Sequence, residues 1–285
     1  PAGRAAVLLP RAFGGRGGPR RPGAPRAAWG YAAPVLLGLG GVALVAPVPP
    51  LLGRMLLLDG TVALVAVLVA LWRRRRDDEV LVQVLAACLA VLAALAWVRV
   101  EASVVVPLLA GFVVLTIAAE RVELARFHLP RTAGTTLLWL ATGLALAATW
   151  ALVAPGPGSR AFGVALLALV AWLAPRDVAR RTVRSTDLPR FSAVAMLAGY
   201  GWLTVAGVAW AVTGVPTTRA AHDLLVHTVF LGFAMSMVLA HAPVILPSVL
   251  RRPLPYRRAL WAPLVVLHAG LAVRVCGALV GQPRP

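Results

Sequence analysis

Residues 227–250 read HTVFLGFAMSMVLAHAPVILPSVL. None of these positions carries an arginine or an acidic side chain. As a helix the stretch is about 36 Å long, enough to cross a hydrocarbon core of about 30 Å. Read that way, the chain is a membrane protein, and the two histidines, two prolines and two serines in the stretch require a reason to be there.

The rest of the sequence repeats the signal. Apolar runs fall at about 31–50, 55–72, 80–98, 102–119, 135–154, 161–175, 191–215, 221–250 and 258–281. The 285 residues are 60% apolar and 13% charged, against about 25% charged in an ordinary soluble domain. The expectation is an all-α, polytopic transmembrane helix bundle of about nine helices over residues 29–282. A Gly/Pro/Arg-rich stretch over residues 1–28 lacks periodicity and reads as a disordered basic cytoplasmic tail. The sixth run is the shortest and reads as tilted, re-entrant or eked out by its neighbours.

The net charge of +18 comes from 28 arginines and no lysine. On a polar domain it would suggest a nucleic-acid partner. Here the arginines sit in short segments between apolar runs, so the expected partner is the lipid bilayer and no nucleic acid. With nine crossings, 22 arginines fall on the side of the N-terminus and six on the other. Such a bias puts the N-terminus in the cytoplasm, with residues 121, 126 and 131 and the segment 176–190 read as solvated helix ends.

Cys88 and Cys276 lie in apolar runs and read as small hydrophobes rather than a disulfide. There is no CxxC, HExxH, Walker loop or GxSxG elbow, which leaves soluble-type hydrolase, nucleotide and zinc-finger chemistry without support.

Ionisable residues at membrane depth are rare and face bundle interiors or cavities. They are Asp59, Asp223, His227, His241, His268 and Arg274. His227 and His241 are about four turns apart, on one face but about 21 Å distant along the axis, so they cannot share a metal ion. Asp223 precedes His227 by one turn and is placed to orient its ring. His241 precedes Arg251 by ten residues and His268 follows Arg258 by ten, which predicts two imidazoles at one height across a hairpin and hence a candidate metal site. Arg274 lies about 9 Å further out, at a height suited to a haem propionate or to the outer headgroups. Pro243 and Pro247 predict a kink below His241. Gly232 and Ser236 form a small-xxx-small step for close helix approach.

The segments HDLLVHTVFLGFAMSMVLAHAPVILPSVL and LPYRRALWAPLVVLHAGLAVRV, with AERVELARF and DVARRTVRSTDLPRFSAVAMLAGYGWLTVAG, resemble the NnrS proteins and, more distantly, the catalytic subunit of haem–copper oxidases. The resemblance covers roughly residues 110–128 and 176–275. It implies metal binding by intramembrane histidines, with haem b the expected cofactor and copper the alternative, in bacteria handling nitric oxide or respiratory oxidants. The matching positions are His227, His241 and His268. Where a His-Gly pair opens the second helix in that family, this chain has Leu52 and Gly53.

The expected function is therefore a multi-pass protein of the bacterial plasma membrane that binds haem or another metal through His241 and His268. Arg274 would lie near a propionate and His227 with Asp223 at an outer site, in electron transfer or nitric-oxide metabolism. A transporter or channel with a histidine proton relay is the alternative class, and a non-catalytic assembly factor the third.

Overall fold

The computed structural model describes residues 30–252 and 255–280; the basic tail expected over residues 1–28 lies outside them. A hairpin of α1 (Ala32–Val45) and α2 (Pro50–Arg74) leads into α3 (Asp78–Trp97), α4 (Val106–Ala125), α5 (Ala133–Val153) and α6 (Pro155–Leu173). After the one-turn α7 (Ala179–Thr182) come α8 (Asp187–Thr213), α9 (Arg219–His227), α10 (Ser236–Leu250) and α11 (Trp261–Val280). Among the described residues there is no strand. A π-helix, Thr228–Met235, joins α9 to α10, so residues 219–250 form one unbroken rod, the helix expected from the stretch quoted at the outset.

Local chemistry accounts for the ends. Prolines occupy the first turns of α2, α4 and α6, where their missing N–H costs nothing. Asp78 and Glu79 open α3, against the positive end of its dipole. Gly214, with φ of 68°, closes α8, and the Thr218 side chain accepts the Ala221 N–H at 3.1 Å to start α9.

Among the described residues, eight helices are long and apolar enough to cross a membrane, running from Pro50–Arg74 to Arg258–Gly277. The first apolar run is the exception. Its helix has 14 residues, about 21 Å. Gly40 under Leu57, Gly53 under Leu44 and Gly60 under Leu37 fix one antiparallel register with α2. In that register α1 begins level with about Ala66, two turns short of Arg74. Successive helices then pack on their neighbours, α2 on α3, α3 on α4 and α5, α5 on α6, α6 on α8, and α8 on the rod, with α11 against α9 and the π-helix.

The sixth run is displaced rather than short. It forms a span of 22 residues, Pro155–Arg176, because Pro155 is tolerated in the first turn and Gly158 lies directly on the Ala151 backbone. Gly163 meets Gly207 and Ala211, and Gly207 meets Leu167. Extended along both helices, that register ends α6 level with Tyr200. The first half of α8 continues about 20 Å beyond it. Residues 174–186 fold back into the space below α6, and Asp177 and Ala179 are buried there.

The core is built largely from alanine and leucine, with Phe162 set edge-on to Trp210 at 4.9 Å beside the α6–α8 crossing. A Cβ at position 163 would collide with the Ala211 backbone, whereas Gly143 faces open space. Gly163→Ala is expected to destabilise the fold by about 1–3 kcal/mol through overpacking and Gly143→Ala to be neutral or stabilising, as read by thermal unfolding in detergent.

Candidate functional site

The space below α6 brings four polar side chains together. Arg121, near the end of α4, donates from Nε and Nη2 to both oxygens of Asp177, each at 2.9 Å. Asp177 also accepts from the Tyr200 hydroxyl at 2.7 Å and from the Ala179 N–H at 2.8 Å. The pair is 8% and 1% exposed at its side chains, so the carboxylate has four donors and no water to rely on. Burial pushes the Asp177 carboxyl up, but the Arg121 hydrogen bonds and charge, the Ala179 N–H and the Tyr200 hydroxyl outweigh it and leave the group below its ordinary value.

The remaining Arg121 donor, Nη1, lies 2.9 Å from His241 Nε2. A guanidinium only donates, so Nε2 is unprotonated. The other ring nitrogen, Nδ1, lies 2.7 Å from the Met237 carbonyl and donates to it. His241 is thus a neutral imidazole in a defined tautomer, held between its own helix and the buried ion pair. Ser192 of α8 donates to the Ala240 carbonyl at 2.8 Å, pinning α10 one residue before His241. Pro243 and Pro247 both lie inside α10.

Arg121 and His241 line a cleft of about 760 Å³ between α4 and the rod. Its walls are apolar, Ile117, Met237 and Ile245 among them, and Glu120 and Glu123 also line it. Glu123 approaches Arg75 at 3.8 Å, while Arg126 sits over the Phe127 ring.

A second polar cluster stands at the other end of the rod. His227 Nδ1 is 2.8 Å from the Asp223 carbonyl and 3.3 Å from its carboxylate, the one-turn arrangement read from the sequence. Arg274 of α11 reaches Asp223 at 3.1 Å and lies 3.5 Å from His227 Nε2. Arg274 is therefore engaged by a carboxylate inside the bundle.

His268 joins neither cluster. The Trp202 indole donates to its Nδ1 at 2.8 Å, and the two rings are nearly parallel, 6.4 Å apart. A neutral ring then carries its proton on Nε2, which is buried without a partner. Leu271 against Gly232 sets the register of α11 on the rod. It places His268 level with about Met235, some 9 Å from His241 along the axis. The expectation of one height assumed a symmetrical turn. Instead Arg258 stands level with about Ile245 in this register.

Haem iron or copper needs an imidazole lone pair facing open space. At His241 and His227 the lone pair faces a guanidinium, and at His268 it is taken by Trp202. Ligation by these residues requires Arg121, Arg274 or Trp202 to withdraw. Among the described residues no group of three His, Cys, Asp or Glu is placed to hold a metal ion. Asp59 and His128 are exposed. Cys88 and Cys276 are free and lie on outward faces rather than in the core.

Arg121 and Asp177 were read from the sequence as parts of solvated loops, and the structure corrects both. Arg121 was signalled by its place, with Glu120, directly at the end of the apolar run of α4. Asp177 was signalled by being the first acidic residue after α6 in a segment otherwise rich in arginine. Tyr200 carried no signal, since a tyrosine in an apolar helix reads as packing.

Fold and site together define a multi-pass α-helical membrane protein with a buried ion pair at the arginine-rich end of its bundle. The chain belongs to the family described as Domain of unknown function (DUF8744), which matches residues 6–284. No curated protein and no solved structure matches it.

Removing one partner of a buried ion pair strands the other. Arg121→Leu is expected to cost about 3–5 kcal/mol, and the double variant Arg121→Leu/Asp177→Leu to recover much of that loss, read as thermal midpoints at neutral pH. Because the folded pKa of Asp177 is depressed, its contribution is fully present above the unfolded value of about 3.9. It is lost as pH falls through the lower folded value. The midpoint of the unaltered protein should therefore drop in that acidic window, with a shallower drop for Asp177→Asn.

Proposed function

We propose that the protein is a proton-coupled membrane transporter in which His241 is the proton-binding residue and the cleft between α4 and the rod receives a small amphiphilic solute. The observation that carries this reading is the contact between Arg121 Nη1 and His241 Nε2 at the wall of that cleft. The lone pair that accepts from Arg121 is the atom a proton would take. Once protonated, the ring presents an N–H and a positive charge to a guanidinium 2.9 Å away, and the contact must open. Asp177 and Tyr200 hold Arg121 from behind, so the group free to turn is the imidazole, and the space open to it is the cleft. Proton binding and the shape and charge of a solute-sized space are thereby one event, the requirement of coupled transport.

Other features agree with it. The cleft combines an apolar wall with a polar end, suited to an amphiphilic molecule. The rod beside it contains a π-helix and two prolines, and π-helical segments recur at functional sites. His227 with Asp223 and Arg274, and His268 with Trp202, continue a series of titratable groups towards the opposite face.

Liposomes containing the purified protein and internal pyranine, placed in an acidic medium, should acidify faster than protein-free liposomes when short-chain amines or carboxylates are supplied. His241→Gln should abolish the difference while leaving the melting temperature within a few degrees. Equal rates with and without protein for every solute class overturn the reading.

Binding of haem b or copper, with electron transfer, is a second reading and rests on the buried, unpartnered Nε2 of His268. It requires Trp202 to release Nδ1. Under this reading the protein purified from its own membrane has a Soret band or stoichiometric copper that His268→Ala removes. A colourless, metal-free preparation rejects it.

A further inference from the structure

We propose that a second cleft, on the far side of the Asp177 network, is a binding site for an anionic phospholipid of the leaflet at the arginine-rich face. It lies between the end of α6, the segment around α7 and the first half of α8, and has a volume of about 500 Å³. Arg180 and Arg184 line one part of it, and Val170, Leu197, Gly201 and Thr204 the rest. No acidic residue lines it.

Three observations converge on a lipid. Both arginines are exposed, and neither makes a side-chain hydrogen bond or ion pair among the described residues. They differ in this from Arg121, Arg75 and Arg274, each of which has an acidic partner. Two uncommitted guanidiniums within one cleft suit a phosphate oxyanion, which accepts charge-assisted hydrogen bonds from both. Second, the cleft has a polarity along the membrane normal. Tyr200, Gly201 and Thr204 stand level with the end of α6 and its last turn, at membrane depth, whereas Arg180 and Arg184 belong to the segment that descends from α6 to the start of α8. An anionic headgroup at the arginines would send its chain up the apolar wall. Third, a Cβ built on Gly201 meets nothing within 4 Å, so this part of the α8 surface is open to a ligand.

Free phosphate shares the headgroup chemistry but has no use for the apolar wall, so the assignment is to the lipid. The site touches the polar network at Tyr200, whose hydroxyl donates to Asp177. It stands independently of the transport reading, since it requires neither His241 nor the first cleft.

The test is native mass spectrometry of the full chain released from detergent, titrated with phosphatidylglycerol, phosphatidylcholine or inorganic phosphate. Phosphatidylglycerol should bind at least about tenfold more tightly than phosphatidylcholine. Arg180→Gln and Arg184→Gln should each weaken it about fivefold; both positions are exposed, so the fold is expected to persist. Gly201→Leu fills the apolar part of the cleft and should lower phosphatidylglycerol binding without changing that of phosphate. Equal affinity for the two lipids in the unaltered protein overturns the proposal, as does phosphatidylglycerol binding unmoved by the arginine variants. Binding that survives Gly201→Leu and is displaced by inorganic phosphate also overturns it, and reassigns the site to a free anion.

Discussion

An arginine and an aspartate removed from water must find each other, and much of the molecule's polar structure follows from the place where Arg121 and Asp177 do so. The pair exists because α6 stops level with the middle of α8 and the chain below it folds back instead of leaving the bundle. The returning segment delivers a carboxylate to the inner side of α4. That carboxylate fixes Arg121 with two hydrogen bonds and accepts a third from the Tyr200 hydroxyl. Of the guanidinium nitrogens only Nη1 is left uncommitted to the carboxylate, and its contact settles the tautomer of His241. A buried pair of this kind contributes less to net stability than its short distances suggest, because both ions were first stripped of water. Its larger effect is to specify one arrangement of α4, α8 and α10 around the returning segment.

The polar chemistry is concentrated along one element. The rod over residues 219–250 carries Asp223 and His227 near one end and His241 near the other, and α8 and α11 supply Trp202, His268 and Arg274 between and beside them. Elsewhere the core is alanine and leucine packed closely through glycines. At the periphery, α2 and α11 have only 11% of their central windows buried, so their apolar faces are left to the lipid.

The helices were legible in the sequence because a membrane span needs only length and apolarity, both local properties. The same holds for the Asp223–His227 step and the Gly232–Ser236 step, the latter meeting Trp202 and Gly199 as close packing requires. What was hidden depended on heights. Counting arginines by segment treats Arg121 and Arg126 alike, although one is buried in the bundle and the other lies over Phe127 at the surface. Matching His241 to His268 by equal distances from a turn presumed that the turn was symmetrical. The stopping point of α6 was set by glycine contacts with α8, and no pattern within residues 161–175 reveals it. Every missed feature was a question of how far one helix slides past another, which a single chain's periodicity does not encode.

The π-helix between His227 and Ser236 has a mechanical corollary. Each of its hydrogen-bonded loops encloses one residue more than an α-turn, so the rod carries surplus chain, much as a crystal carries a dislocation. Sliding such a defect along a helix rotates the residues it passes by about 100°, the angular step of one residue, while both ends of the helix stay docked. In one direction lie Pro243 and Pro247, which have no N–H to give to the ladder. Between the defect and those prolines is His241. The rod therefore sets His241, and the guanidinium that faces it, between a stretch of surplus chain and two residues that cannot complete its hydrogen-bond ladder.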